Sequence, residues 1–172
     1  FEITLFSSDS KIHDLIAGKK GVFDRVIEGV IAVKKHNSGL AIVCVLSRQN
    51  LQHLDKTIEL ALALGADGIA LNRVNLSAHN IRFAQQLVPS APELTEALDV
   101  AEITAEKYGI KIALSVPVPP CIIDPKRYQY LHFGWCPRGG ENSYYTIGYN
   151  GLVRPCNHSS LILGDLRKQS FE

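Results

Sequence analysis

The feature of this sequence that most restricts its fold is a regular alternation between short apolar segments and longer amphipathic ones. Residues 2–7 and 40–46 are strand-like runs of apolar and β-branched side chains, whereas residues 21–36 and 51–64 carry apolar side chains at helical spacing. Strands that alternate with helices of this length pair in parallel through right-handed crossovers. The sequence therefore predicts an α/β fold, either a partial TIM-like barrel or an open sheet.

The alternation continues as far as residue 116. Residues 67–74 and 110–116 are the third and fourth predicted strands. Between them, residues 91–108 form a long predicted helix, with Pro92 near its first turn and Gly109 just past its end. Because the pattern begins on a strand, we expect the chain to start in the middle of a barrel.

The composition and periodicity of the sequence change after residue 116. Three prolines between residues 117 and 120 stop regular structure, and residues 124–140 are rich in Pro, Gly, aromatic and charged side chains without a helical period. We therefore predict two domains, the barrel part at residues 1–120 and a second domain at residues 121–172.

Two cysteines flank a predicted β-hairpin in the second domain. The pair Asn150-Gly151 lies between strand-like residues 144–148 and 152–154, which is a strong hairpin signal. The turn would bring Cys136 and Cys156 close together, so that both thiolates could ligate one metal centre, either zinc or an iron-sulfur cluster. Two unpaired structural thiols are the alternative.

The other two cysteines carry weaker signals. Cys44 lies inside an apolar strand, where a buried small side chain is the usual outcome. Cys121 follows a Pro-Pro pair in a loop, where it could reach a cluster or remain a structural thiol.

Composition excludes several classes of partner. Eighteen basic and seventeen acidic residues give a net charge of +1, which predicts no nucleic-acid surface and no attraction to anionic membranes. No apolar run approaches the roughly 20 residues of a membrane span, and no signal peptide is visible, so we expect a cytoplasmic protein. The sequence lacks Met, and we therefore expect it to be part of a longer polypeptide.

Several segments together resemble a known family. Fourteen residues separate Cys136 from Gly151 and four separate Gly151 from Cys156. This spacing is similar to the opening of the SPASM domain, the auxiliary iron-sulfur domain of radical S-adenosylmethionine (radical SAM) enzymes, and Gly164-Asp165-Leu166 resembles the segment that follows there. Further upstream, the segments that match the family's barrel are Thr4-Leu5-Phe6-Ser7, His13-Asp14, Gly21 to Val26, Val43 to Leu46 with Asn50, and Leu64 to Asp67.

The resemblance implies an enzyme that uses a 4Fe-4S cluster and S-adenosylmethionine to generate a 5′-deoxyadenosyl radical. Thr4, Ser7 and Arg25 are the residues it suggests for cofactor binding, because barrel sites form at the carboxyl ends of strands. It suggests Cys136 and Cys156 as ligands of an auxiliary cluster. The implied partners are a peptide or a small-molecule cofactor precursor, as in coenzyme PQQ synthesis, and an electron donor such as flavodoxin or ferredoxin.

The sequence also departs from the family pattern. The Cys-x3-Cys-x2-Cys loop that holds the SAM-cleaving cluster is absent, and so are the later cysteines of the SPASM domain. We therefore expect the chain by itself to be catalytically inactive. A non-catalytic, barrel-derived domain that binds a peptide or protein partner and holds zinc through its cysteines is the alternative function.

Overall fold

The computed structural model describes residues 1–76, 80–136, 144–156 and 159–171. These residues form two compact units, Phe1–Gly134 and Trp135–Glu172. The first unit contains all five helices and the larger of two sheets, and the second contains a small antiparallel sheet.

Five parallel strands form the sheet of the first unit, and they lie side by side in the order in which they occur in the sequence. The strands are β1 (Glu2–Thr4), β2 (Ala41–Leu46), β3 (Gly68–Arg73), β4 (Ile112–Leu114) and β5 (Leu131–Phe133). This order requires each crossover to step in the same direction across the sheet. Right-handed crossovers of this kind place their helices on one face, as in a barrel wall.

The helices of the first unit are α1 (Ser10–Ala17), α2 (Val22–Lys35), α3 (Leu54–Ala63), α4 (Ala84–Leu87) and α5 (Ala91–Tyr108). The short helix α1 begins at Asp9, whose side chain accepts hydrogen bonds from the first turn, and it ends at Gly18 in the left-handed conformation. Helix α5 begins at Ser90 with a capping box and ends at Gly109, also in the left-handed conformation.

The core of the first unit lies between the sheet and these helices. Burial alternates along β2 and β3, so that one side chain in two contributes to this core. The buried strand residues are Ile42, Cys44, Leu46, Ile69, Leu71, Ile112, Leu114 and Leu131, and they belong to one cluster that also contains Val30, Ile58, Leu98 and Ala101 of the helices.

The opposite face of the sheet has no helix on it within the described residues. Thr4, Val43, Ala70, Ala113 and His132 are in register across the five strands, and all of them are half-buried or exposed. We call this row and the side chains above and below it the uncovered face. Parallel sheets are normally covered on both faces.

The second unit is a three-stranded antiparallel sheet made of β6 (Thr146–Ile147), β7 (Leu152–Arg154) and β8 (Gly164–Asp165). The predicted hairpin is present, since β6 pairs with β7 and Gly151 lies in the turn with φ of 73°. Glycine adopts this backbone conformation without strain.

The structure contains four elements that the sequence analysis did not predict. Helices α1 and α4 and strand β8 lie in segments to which we assigned no element, and β5 lies within residues 124–140, where we expected no regular structure. Because β5 pairs with β4, the first unit ends at Gly134, and the predicted domain boundary at residues 120 and 121 falls inside it. Among the described residues, no helix is both long enough and apolar enough to cross a bilayer.

Candidate functional site

The carboxyl ends of β1 and β2 are joined by a buried asparagine. Asn50 donates through Nδ2 to the carbonyl oxygens of Phe6 at 2.7 Å and Val45 at 2.9 Å. Its Oδ1 accepts from the backbone N–H of Ser47 at 2.9 Å. Each polar atom of this side chain therefore has a partner, as a buried amide requires, and Asn50 fixes the edge of the sheet rather than presenting a free group.

The three residues predicted to bind a cofactor lie in different environments. Thr4 is the last residue of β1 and is exposed on the uncovered face, and Arg25 is exposed in the first turn of α2. Ser7 is fully buried beyond the end of β1, and its Oγ accepts from the backbone N–H of Asp9 at 3.1 Å. Thr4 and Arg25 therefore have accessible side chains, whereas the hydroxyl of Ser7 shapes the turn that leads into α1.

The His13-Asp14 pair has a structural role. Asp14 accepts from the backbone N–H groups of Phe23 at 2.8 Å and Gly21 at 2.5 Å, so its carboxylate caps the start of α2. These hydrogen bonds, chiefly the one from Phe23, hold the pKa of Asp14 below its usual range. His13 is buried between the rings of Phe6 and Phe23, and burial lowers its pKa.

Cys44 is buried in β2, where its Sγ lies 3.6 Å from the carbonyl oxygen of Phe6. Burial raises the pKa of its thiol to about 12, so it remains protonated and unreactive at neutral pH. The prediction that Cys44 is a buried side chain is thus confirmed. Cys121 has the opposite environment, because it lies exposed in the loop after β4.

A second polar cluster at this edge of the sheet was not predicted from the sequence. Oδ1 of Asn72, on β3, accepts from the backbone N–H of Ser115 at 3.0 Å, from the Ser115 hydroxyl at 2.8 Å and from the backbone N–H of Val116 at 3.1 Å. The neighbouring Arg73 donates to the carbonyl oxygen of Pro117 at 2.9 Å. The available signal was the pair of polar residues that ends an otherwise apolar strand.

The second unit is organised around the hairpin turn. The backbone N–H of Leu166 donates to the carbonyl oxygen of Gly151 at 2.9 Å, and a Cβ at position 151 would lie 3.2 Å from Cγ of Arg167. Arg167 forms an ion pair with Asp165 at 2.8 Å, which lowers the pKa of that carboxyl to about 2. Glycine at 151 and the Gly164-Asp165-Leu166 segment are thus parts of one packed turn.

The two thiols predicted as metal ligands both belong to the second unit. Cys136 is exposed, Cys156 is half-buried just beyond the end of β7, and neither forms a disulfide. Residues 137–143, between Cys136 and the hairpin, lie outside the described residues. Within the part of the chain that the structure describes, no group of three or more His, Cys, Asp or Glu side chains could hold a metal.

The donor chemistry of this pair suits a soft metal but does not complete a site. Thiolates are the ligands of iron-sulfur clusters and of structural zinc, and both kinds of site take four protein ligands. Cys136 and Cys156 would supply two of these, so a complete centre needs ligands beyond the residues described.

Comparisons with known proteins place the fold. No protein-family model matches the sequence. A crystal structure of Streptococcus suis SuiB bound to S-adenosylmethionine is similar to this chain with a TM-score of 0.70 and 12% sequence identity, over 99% of this chain and 40% of that one. A second structure of Streptococcus suis SuiB matches with a TM-score of 0.68 and 11% identity, over 99% and 41% of the two chains. The chain therefore spans about two fifths of the length of these proteins and shares the fold of that part.

Proposed function

We propose that this chain is part of a radical SAM enzyme, comprising a section of its barrel and the start of its SPASM domain. The observation that carries the proposal is the likeness in fold, over 99% of the chain, to a protein that has been crystallised with S-adenosylmethionine. The likeness in fold holds although only 12% of the residues are identical.

The geometry of the first unit supports a cofactor site on the uncovered face. Thr4 is accessible there at the carboxyl end of β1, where ligands bind in folds with parallel strands. We propose that Thr4 and Arg25 contact S-adenosylmethionine through their side chains and that Ser7 contributes by holding the turn after β1. When bound, S-adenosylmethionine and the 4Fe-4S cluster would supply a 5′-deoxyadenosyl radical for abstraction of hydrogen from the substrate.

The weak core of the second unit supports a metal centre there. Val153 is the only fully buried apolar side chain among its described residues. The large apolar side chains left exposed are Trp135, Tyr144, Tyr145, Ile147, Tyr149, Leu161, Ile162, Leu163 and Phe171. Units this small rarely fold on so little buried apolar surface, and metals or disulfides usually stabilise them. We therefore propose that Cys136 and Cys156 ligate an auxiliary 4Fe-4S cluster.

The substrate and partners are proposed from the resemblance. We propose that the full-length enzyme modifies a peptide or a small-molecule cofactor precursor, as in coenzyme PQQ synthesis. An electron donor such as flavodoxin or ferredoxin would deliver the reducing electron, and the protein would act in the cytoplasm.

The test is to measure iron and labile sulfide in the full-length protein purified without oxygen. Substituting Cys136→Ala or Cys156→Ala should lower the iron content by the equivalent of one cluster and leave reductive cleavage of S-adenosylmethionine detectable. Cys44→Ala is the matched control, since its thiol is buried in the core of the first unit. Unchanged iron in both test variants would contradict the assignment of the ligands.

The same measurement distinguishes the alternative function from the proposed one. A non-catalytic domain that binds a peptide or protein partner, with its cysteines on zinc, would purify colourless, with stoichiometric zinc and without labile sulfide. The weak core of the second unit is compatible with zinc as well as with a cluster, so metal identity decides between the two functions.

A further inference from the structure

The orientation of the Asn72 side-chain amide is fixed by the chemistry of its neighbours. Two of the three groups that contact its oxygen are backbone N–H groups, those of Ser115 and Val116, and these can only donate. The atom that they contact must therefore be the amide oxygen, which removes the usual ambiguity between oxygen and nitrogen in an asparagine. The NH2 group of Asn72 consequently points away from β4.

Within the part of the chain that the structure describes, the NH2 group of Asn72 makes no hydrogen bond, although the side chain is half-buried. Asn72 is paired in register with Val45 of β2 and lies two residues beyond Ala70 on the uncovered face. A donor held rigidly by three hydrogen bonds beside small apolar side chains loses little conformational entropy when it binds an acceptor.

The surroundings favour an acceptor as the group that Asn72 binds. Apart from Glu2, at the amino end of β1, none of the strand residues on the uncovered face carries a carboxylate. Besides Glu2, the polar strand side chains on this face are those of Thr4, Asn72 and His132, and the hydroxyl of Ser115 is already bonded to Asn72. A carbonyl or carboxylate oxygen would therefore meet donors here without meeting a like charge.

We propose that Asn72 is a substrate-orienting residue, whose Nδ2 donates to a carbonyl or carboxylate oxygen of the substrate at the carboxyl edge of the sheet. The inference rests on the proposed function, since it takes the uncovered face to be the face that binds ligands. It narrows the substrate to molecules that carry an amide carbonyl or a carboxylate near the reacting carbon, which a peptide does at every residue.

Asn72→Asp is the variant that separates binding from structure. A carboxylate at position 72 keeps an oxygen acceptor for the N–H groups of Ser115 and Val116, and it replaces the NH2 donor by a second acceptor. Thermal unfolding should therefore change little. Asn72→Ser serves as the second variant if the aspartate disturbs the fold. Its side chain is shorter than that of asparagine, so it brings neither an acceptor to Ser115 and Val116 nor a donor to the ligand over the same distance.

The binding experiment uses the full-length protein labelled with ¹⁵N-asparagine. N-acetylglycinamide probes a carbonyl acceptor, and N-acetylglycine probes a carboxylate. We expect one of them to shift the side-chain NH2 resonance of Asn72 in a saturable manner. Because Asn72→Asp has no such resonance, its affinity for the same probe is compared with that of the wild type by calorimetry. We expect the variant to bind roughly tenfold more weakly, the equivalent of one lost hydrogen bond. The more effective probe identifies the kind of acceptor.

Two outcomes overturn the inference, and neither coincides with failure of the proposed function. A saturable shift with S-adenosylmethionine alone would assign the donor to the cofactor, and the absence of a shift with both probes in protein that binds S-adenosylmethionine would remove the role altogether. Failure of the proposed function has a different signature, namely protein that neither binds nor cleaves S-adenosylmethionine.

Discussion

His13 illustrates how a single buried group can make the stability of this chain depend on pH. Its ring is 1% exposed, and within the described residues neither nitrogen has a hydrogen-bond partner. Oδ1 of Asp14, 3.8 Å from Nδ1, attracts a proton, but the cost of burying the charged ring is the larger effect and lowers the pKa of His13. The folded protein therefore holds His13 neutral, whereas the unfolded chain protonates it near its ordinary pKa of about 6.5.

We predict that the protein loses stability as the pH falls below about 6.5, because the unfolded state then binds more protons than the folded state. The contribution of His13 is fully present above this pH and is lost on acidification, at up to about 1.4 kcal/mol per pH unit. His13→Phe should flatten this dependence, since phenylalanine is an aromatic side chain that does not titrate. Urea unfolding at a series of pH values measures it.

The matched control for this prediction is His36→Gln, at an exposed position just after the end of α2, and this variant should retain the pH dependence of the wild type. A His13→Phe protein with the same pH dependence as the wild type would show that other groups cause it.

At the scale of secondary-structure elements, α5 is the helix whose start is most completely defined. The backbone N–H and the hydroxyl of Ser90 both donate to the Glu93 carboxylate at 2.7 Å, and Arg48 pairs with the same carboxylate at 3.0 Å. The backbone N–H of Glu93 donates in return to Oγ of Ser90 at 3.4 Å. Through the ion pair with Glu93, the start of α5 is joined to Arg48, which lies two residues after the end of β2.

Ser90→Ala should lower the free energy of unfolding by about 1 kcal/mol, because it removes the hydroxyl that caps the helix. Ser90→Thr retains a hydroxyl at the same position and should recover most of that loss. Urea denaturation of the three proteins at one pH provides the comparison. Equal stability of the alanine variant and the wild type would show that Glu93 and Arg48 hold the helix start without the cap.

Most elements that are defined by neighbouring residues in the sequence were predicted, and elements that depend on contacts with distant residues were not. Helix α5 was predicted with its observed bounds, because its Pro, its Gly and its apolar spacing are all local. Helix α1 was missed because its only fully buried residue is His13, and histidine is not counted among the apolar side chains whose spacing indicates a helix. Strand β5 is three residues long and is defined by pairing with β4, a contact that the local sequence does not encode. The role of Asn72 was missed for the same reason, because its hydrogen-bond partners lie more than forty residues away in the sequence.

At the scale of the whole molecule, the uncovered face of the first unit is the feature that its own described residues do not explain. Val43 and Ala70 are only half-buried there, although they occupy the middle of a parallel sheet. Sheets of this kind bury both faces in nearly all known folds. The proposed function accounts for the exposure, because in a barrel this face would line the interior together with strands from the rest of the polypeptide.

Val43→Lys tests this account in the full-length protein. If the face is interior there, an unpaired charge is buried and the free energy of unfolding should fall by about 3 kcal/mol. Ile31→Lys is the control, because Ile31 is exposed on α2 and its replacement should change stability by less than about 0.5 kcal/mol. Thermal or urea unfolding distinguishes the two. Equal and small effects of both substitutions would mean that water reaches Val43 in the full-length protein, and the barrel interpretation of this face would then be wrong.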